Sequence, residues 1–224
     1  ELAHEAREQT PTGKILDVGA GSGRVSLDLA RAGAEVTALD IDPALLAALD
    51  SRADHGARIQ TVCADARSFE LERRDFALCL APMQTIQLLG GADGRAAFFR
   101  RARAHLRPGA MLACAIVTEL EPFDCTRSGP GPSPESEHID GVLYMSRAVR
   151  VQLTRQLVRI ERERSIFAAE SREPTREQNV IELDRVSVAR LHREGRAAGL
   201  RPSQTRTIAA TDEHVGSLVV MFGA

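Results

Sequence analysis

The first pattern along the chain is a short apolar run, Ile15, Leu16 and Val18, broken by Asp17 and followed by Gly19, Gly21 and Gly23. A run of that length bounded by glycine predicts a buried parallel strand entering a tight turn. Ser22 then reads as the cap of a helix whose buried side carries Val25, Leu27, Leu29 and Ala30. The alternation repeats downstream. Glu35–Asp40 predicts a second strand ending in an acid, and Asp42 with Pro43 starts a helix that runs to Arg52. Ile59–Cys63 and Phe76–Leu80 predict strands three and four. From Arg95 to Leu106 the positions Ala96, Phe99, Ala102, Arg103 and Leu106 share one helical face, with Arg107-Pro108-Gly109 as the stop. Met111–Val117 is a wholly apolar fifth strand. Ahead of all this, Leu2–Ala6 reads as the end of a helix. Strands alternating with helices in this way predict βαβ units and a doubly wound, mainly parallel α/β sheet.

The pattern breaks at Glu119. A stretch without periodicity leads into Gly129-Pro130-Gly131-Pro132-Ser133-Pro134 and the segment Glu135-Ser136-Glu137-His138, read as loop. Three β-like runs follow with no helix between them: 141–153, 156–167 and 179–186. They predict a small antiparallel sheet over 120–186, inserted into an α/β core formed by 1–119 and 187–224. The core pattern resumes with Ser187 capping a helix to Ala198, Gly199 following it, and strands over Arg201–Ala209 and Ser217–Phe222. The short join between these last two strands predicts an antiparallel hairpin.

Composition narrows the picture. The chain has 224 residues, 43% hydrophobic and 27% charged, the size of one domain with an elaboration. No apolar stretch reaches the roughly 20 residues of a membrane span, and no signal peptide is visible. A net charge of -2 offers no general attraction to nucleic acid or to an anionic membrane. Lys14 is the sole lysine, and the arginines are interleaved with acids, as in Glu161-Arg162-Glu163-Arg164, which reads as solvated faces. Cys63, Cys79, Cys114 and Cys125 are far apart, with no CxxC pair and no ligand spacing. Neither disulfides nor a metal site are expected, and a reducing, cytoplasmic setting fits.

The C-terminal ends of parallel strands share one edge of such a sheet, where open α/β folds bind ligands. Three acids fall there: Asp17 beside the glycine turn, Asp40 ending strand two, and Asp65 just past strand three. A carboxylate at the end of strand two suits a ribose diol, and one at Asp65 can accept from an exocyclic amine. The region of Asp17 and Gly19 can hold a ligand ammonium. The dinucleotide fingerprint G-x-G-x-x-G would need glycine at position 24, which is Arg24. The acids would also repel a pyrophosphate, so a nicotinamide oxidoreductase is the weaker alternative.

At these residues the chain resembles the class I S-adenosylmethionine-dependent methyltransferases. Asp17-Val18-Gly19-Ala20-Gly21-Ser22-Gly23 is similar to the first motif of that family and Asp40 to its ribose-binding acid. Asp65 with Ala66 is similar to the adenine-side motif, and Leu80-Ala81-Pro82-Met83 to the fourth. His105-Leu106-Arg107-Pro108-Gly109-Ala110 resembles the turn from helix into strand five. The resemblance implies a seven-stranded sheet with an antiparallel last strand. It also implies S-adenosylmethionine as cofactor and S-adenosylhomocysteine as product, held by Asp17, Gly19, Ala20, Gly21, Gly23, Asp40, Ile41, Asp65, Ala66, Ala81 and Met83. The inserted strands look like those of small-molecule methyltransferases, in which the insertion covers the acceptor site.

The implied activity is methyl transfer to the nitrogen or oxygen of a small molecule, with no nucleic acid or membrane partner. The fourth motif, Ala81-Pro82-Met83-Gln84, lacks the polar head and the aromatic of amide- and base-methylating relatives, which weighs against nucleobase, RNA and protein acceptors. Candidate groups near the methyl are Gln84, Thr85 and His214, the last in the loop after strand six. Tyr144 reads as strand packing, with acceptor lining as the alternative. The arginines at 147, 150, 159, 162 and 164 could face solvent, an acidic acceptor or a second subunit, making a homodimer through the inserted sheet possible. A cofactor-binding module without catalysis, presenting that sheet to a partner, is the other alternative.

Overall fold

The computed structural model describes residues 13–127, 132–139, 142–167, 173–211 and 215–224. The expected helix end at Leu2–Ala6 lies outside them. The chain divides into two compact units, Glu1–Thr118 with Val186–Ala224, and Glu119–Arg185.

The first unit is a seven-stranded sheet. Its strands are β1 (Ile15–Val18), β2 (Val36–Asp40), β3 (Ile59–Cys63), β4 (Phe76–Ala81), β5 (Leu106–Ile116), β11 (Arg201–Ile208) and β12 (Ser217–Gly223), in the order β11-β12-β5-β4-β1-β2-β3. β12 runs antiparallel to both neighbours and the others are parallel. The central strands are apolar because helices cover both faces: all four residues of β1 are buried, and Leu16, Cys79, Leu112, Cys114 and Val220 have no exposure. The helices are α1 (Arg24–Arg31), α2 (Pro43–Arg52), α3 (Gly91–His105) and α4 (Val188–Ala197). Asp42 caps α2 by accepting from the N–H groups of Ala44 and Leu45, and Ser187 caps α4 by accepting from Arg190 N–H.

Several expectations are corrected. Helix α1 begins after Gly23, which stands at its N-cap in the left-handed region, so Ser22 is not the cap. The buried side of α1 includes Ser26, and that of α3 is Arg95, Phe98, Phe99, Ala102 and His105 rather than a face through Ala96 and Arg103. Helix α3 ends at His105, and Arg107-Pro108-Gly109 already belongs to β5. His105 closes this corner: its Nδ1 donates to Arg101 O (2.7 Å), its Nε2 accepts from Leu71 N–H (3.0 Å), and its ring lies 4.8 Å from Phe69.

The second unit is a five-stranded antiparallel sheet of β6 (Phe123–Asp124), β7 (Glu135–Ile139), β8 (Val142–Leu153), β9 (Leu157–Phe167) and β10 (Thr175–Asp184). The segment expected as a loop, Glu135–His138, is a strand paired with β8, with His138 opposite Leu143. Four of the five arginines singled out in the sequence are paired within the sheet. Arg147 meets Glu163, Arg150 meets Asp124 and Glu161, Arg159 meets Glu182, and Arg162 meets Glu135. Opposite charges across neighbouring strands stabilise pairing, which accounts for their number without an acidic ligand. Among the described residues no helix is long and apolar enough to cross a membrane.

Candidate functional site

The parallel strands β1, β2, β3 and β4 end on one edge, bringing Asp17, the glycine turn, Asp40, Asp65 and the Pro82–Gln84 turn to the same side of the sheet. The turn after β1 is held by its own backbone. Gly19 and Ala20 N–H both donate to Leu39 O (2.8 and 3.1 Å), and Gly23 N–H donates to Ala20 O (3.0 Å). Gly21 N–H donates to Asp40 Oδ2 (2.8 Å). Four N–H groups that a phosphate would need are thereby satisfied within the protein, which explains chemically why this turn is not a pyrophosphate cradle.

The three glycines have three different jobs. A Cβ at Gly19 would lie 2.4 Å from Thr85 Oγ1, and one at Gly23 would lie 2.7 Å from Leu49 Cγ. A Cβ at Gly21 would meet nothing within 4 Å, so Gly21 alone borders open space. The side chains of Ala20 and Ala81 are likewise buried, Ala20 beside Ala38 and Leu49, Ala81 in the main core. Gly23, Ala20 and Ala81 thus shape the site from beneath. Their side chains pack inward, so the cofactor contact expected of them would be made by backbone. Ala66 also packs on the core.

Asp17 is fully buried. Its Oδ2 accepts from the Ser26 hydroxyl (2.6 Å), and its Oδ1 has no partner among the described residues. Burial pushes the carboxyl from 3.8 up to about 6, against the Ser26 hydrogen bond and with help from the charge of Asp40. The folded state therefore prefers Asp17 protonated. Its contribution to stability is full below about pH 4 and is lost as pH rises through about 6. The two-unit interval corresponds to about 3 kcal/mol. Asp17→Asn, uncharged at every pH, is expected to flatten this decline, so that urea midpoints near pH 5 and pH 8 converge. An Asn variant that still loses wild-type stability over that range would assign the effect to another group.

Asp40 is half-buried at the end of β2, its Oδ1 accepting from Asp42 N–H (3.0 Å) and its Oδ2 from Gly21. Each oxygen keeps a second lone pair, so the side chain is fixed in place yet able to accept two hydroxyls. Ile41 next to it is 65% exposed, an apolar surface with nothing covering it in its own unit. Asp65 is more engaged than expected. Arg67 binds both its oxygens in a fork (2.6–3.0 Å), which holds the carboxyl below its usual range despite some desolvation. An amine at Asp65 would share the carboxylate with Arg67.

The turn after β4 is strained. Met83 (φ 51°) and Gln84 (φ 64°) are the non-glycine residues with positive φ among those described, at a cost of about 1 kcal/mol or more each. Met83 is 50% exposed. Two residues hold this strain, of which Gln87 was missed by the sequence reading. Thr85, expected as a polar contact, turns its hydroxyl onto Pro82 O (2.6 Å) and packs against Gly19. Gln87, 1% exposed, donates from Nε2 to Val117 O (3.1 Å) and accepts at Oε1 from Val117 N–H (2.8 Å), clamping the turn to the end of β5. A buried glutamine two residues after a paired threonine carries no sequence signal, because its partner lies 30 positions away. His214, with Asp212 and Glu213, lies outside the described residues. A cavity of about 510 Å³ lined by Thr37, Gln60, Val62, Glu70, Arg73 and Phe76 shares no residue with this cluster. No group of three or more His, Cys, Asp or Glu residues able to hold a metal is found among the described residues.

Comparison with known proteins agrees with this geometry. Residues 15–109 match the methyltransferase domain family. A probable ribosomal RNA small subunit methyltransferase A of Methanosarcina acetivorans is 36% identical over 70 residues, 31% of this chain and 26% of that protein. The chain thus spans about a quarter of the length of the curated relatives it matches. Among solved structures, an S-adenosylmethionine-dependent methyltransferase from Clostridium acetobutylicum superposes with TM-score 0.73 at 14% identity, covering 99% of this chain and 88% of that one. An S-adenosylmethionine-bound amino pentose methyltransferase from Micromonospora echinaspora gives 0.69 at 21% identity, covering 98% and 88%. Residues 15–109 thus match a methyltransferase domain, and the chain shares its fold with S-adenosylmethionine-dependent methyltransferases of known structure.

Proposed function

We propose that the chain transfers a methyl group from S-adenosylmethionine to the nitrogen or oxygen of a small molecule. The observation that carries this reading is the open space at Gly21 beside Asp40, in a turn whose N–H groups are already bonded. The donor set suits this cofactor. Asp40 can accept from a ribose diol, Asp65 from an adenine amine, and the negative field of Asp40 with Asp17 beneath the turn favours an ammonium. Gly21 leaves room, and Ile41 and Met83 supply exposed apolar contact. When bound, the cofactor supplies a methyl on a sulfonium, a carbon already activated for in-line displacement.

The protein's own work is then orientation and exclusion of water. The Thr85 and Gln87 contacts fix the left-handed Met83–Gln84 pair, so the Gln84 amide is presented by a rigid turn as a polar contact for the acceptor. His214 is kept as the candidate base for an acceptor that must lose a proton. The amino pentose acceptor of the Micromonospora protein supports small, polar acceptors as the class to screen first. The ribosomal RNA methyltransferase match spans only 70 residues, 31% of this chain, and the net charge gives no reason to prefer RNA. Four free thiols suit a reducing, cytoplasmic setting.

Calorimetric titration with S-adenosylmethionine and S-adenosylhomocysteine tests the reading. Saturable binding is expected, weakened about 10- to 100-fold in Asp40→Ala, as for a lost charged hydrogen bond of about 1.5–3 kcal/mol. Absence of binding by the wild-type chain would overturn it. Saturable binding of NAD(H) in its place would revive the oxidoreductase reading.

A further inference from the structure

The Asp65 carboxylate is the most heavily engaged acid of the candidate site. Its main chain is fixed first. Ala64 N–H donates to Asp40 O (2.9 Å), which ties the end of β3 to the end of β2, and Asp65 O accepts from Ser68 and Phe69 N–H (3.0 and 2.9 Å). Phe69 is buried against His105. On this frame the two carboxylate oxygens are used unequally. Oδ1 accepts from Arg67 N–H (2.8 Å) and Nε (2.9 Å), while Oδ2 accepts from Nη2 (2.6 Å) and shares Nε at 3.0 Å. An ionised carboxylate offers about four acceptor positions. Oδ1 is therefore full, and Oδ2 keeps one.

Among the described residues the hydrogen bonds of the Arg67 side chain all go to Asp65. Two glycines border it: a Cβ at Gly94 would lie 3.4 Å from its Cδ, and one at Gly90 would lie 3.8 Å from its Nη1. The pair is 49% and 26% exposed, too open to contribute much to stability. Orientation is the work left to it.

We propose that Arg67 is a positioning residue that sets base selectivity, pinning Asp65 so that its one open lone pair admits an amino group and rejects a carbonyl. This role rests on the placement proposed above of an adenine amine at Asp65. A free aspartate can turn aside from a base that offers an acceptor. A forked one cannot turn without breaking its bonds to Arg67, so a 6-oxo base would set lone pair against lone pair. A site built to bond a donor rejects an analogue lacking it far more strongly than an apolar pocket rejects a misfit. Lysine would keep the charge but lacks the planar fork. The side-chain bonds from Arg67 also hold the Asp65 carboxyl below its usual range, which keeps the acceptor ionised.

Calorimetric titration of the full chain with S-adenosylhomocysteine and with S-inosylhomocysteine, which carries a carbonyl in place of the amino group, tests this. The wild type should prefer the amino ligand by about a hundredfold or more, and Arg67→Ala and Arg67→Lys should each cut that preference about tenfold. Equal weakening of both ligands in Arg67→Ala, with the preference unchanged, would make Arg67 merely structural and overturn the proposal. Full preference in Arg67→Lys would overturn it too, since charge without the fork would then suffice. A wild type that binds both ligands alike would overturn it and leave the methyl-donor reading standing, whereas binding of neither would overturn both. Circular dichroism melting checks each variant, and Arg67→Gln, with the same loss of preference expected, replaces any that fails to fold.

Discussion

Glu194→Ala is expected to lower stability by about 3–5 kcal/mol, the largest effect of any single truncation outside the apolar core. Arg95 on α3 is 2% exposed, and its Nε and Nη2 donate to the two oxygens of Glu194 on α4 at 2.8 and 3.0 Å. Removing the carboxylate leaves a guanidinium buried without its principal counter-charge. Arg95→Ala is expected to cost less, because Glu194, 12% exposed, keeps its bond from Arg190 (3.0 Å). For a chain of this size the glutamate variant should melt about 10 °C lower. Replacing both partners by methionine should recover most of the loss, since an apolar pair carries no desolvation penalty. The pH dependence has a definite sign. Burial works against ionised Glu194, but the bonds from Arg95 and Arg190 prevail and hold its carboxyl below the usual range. Its contribution is present above the ordinary carboxylate value and is lost as pH falls through the lowered one. The gap between wild type and Glu194→Gln should therefore narrow in acid. A gap that persists unchanged at low pH would mean that the pair contributes through packing alone.

Two alanine substitutions two residues apart should separate folding from binding. Gly19→Ala places a Cβ 2.4 Å from Thr85 Oγ1 and 2.6 Å from its Cγ2, at φ 75°, so the strand-four turn must move. We expect a loss of about 2–4 kcal/mol, combining overpacking with left-handed strain. Gly21→Ala has φ 54°, a value that L residues tolerate at about 1 kcal/mol, and its Cβ meets nothing. Its melting point should fall by only a few degrees, while affinity for S-adenosylhomocysteine should fall at least tenfold, because the methyl enters the space assigned to the cofactor. Thermal melts and calorimetry on both variants decide the matter. A Gly21→Ala protein that binds normally would move the cofactor off this turn.

Much of the core was legible because its signals are local. Apolar runs bounded by glycine gave the strands, and the Asp42 and Ser187 caps sit where a short side chain meets a helix start. What escaped the sequence reading depended on distant partners. Gly23 replaces Ser22 as the cap because Leu49, on the next helix, closes onto it. Arg95 enters the interior because Glu194 awaits it 99 positions later. β7 has no apolar alternation and forms through pairing with β8; the Asp140-Gly141 dipeptide between them was its one available signal. At the candidate site, residue types and order were readable, but side-chain direction was not. Ala20, Gly23 and Ala81 face the core, whereas Gly21 faces open space, and a motif alone cannot tell these apart.

The clamp between Gln87 and Val117 has a consequence for how such a chain can change. The pairing of β5 with β12 ends at Ile116. One residue later the main chain would face a lost donor and a lost acceptor, and the Gln87 amide supplies both. The polypeptide can therefore leave the sheet after Ile116, and its unit after Thr118, returning to that unit at Val186, without unmet hydrogen bonds at the point of departure. Because closing a longer excursion costs only about 0.6 kcal/mol per doubling of its length, the excursion can be exchanged or enlarged at little expense to the core. A single buried amide makes this position a socket, at which one excursion can be exchanged for another while the seven-stranded unit stays as it is.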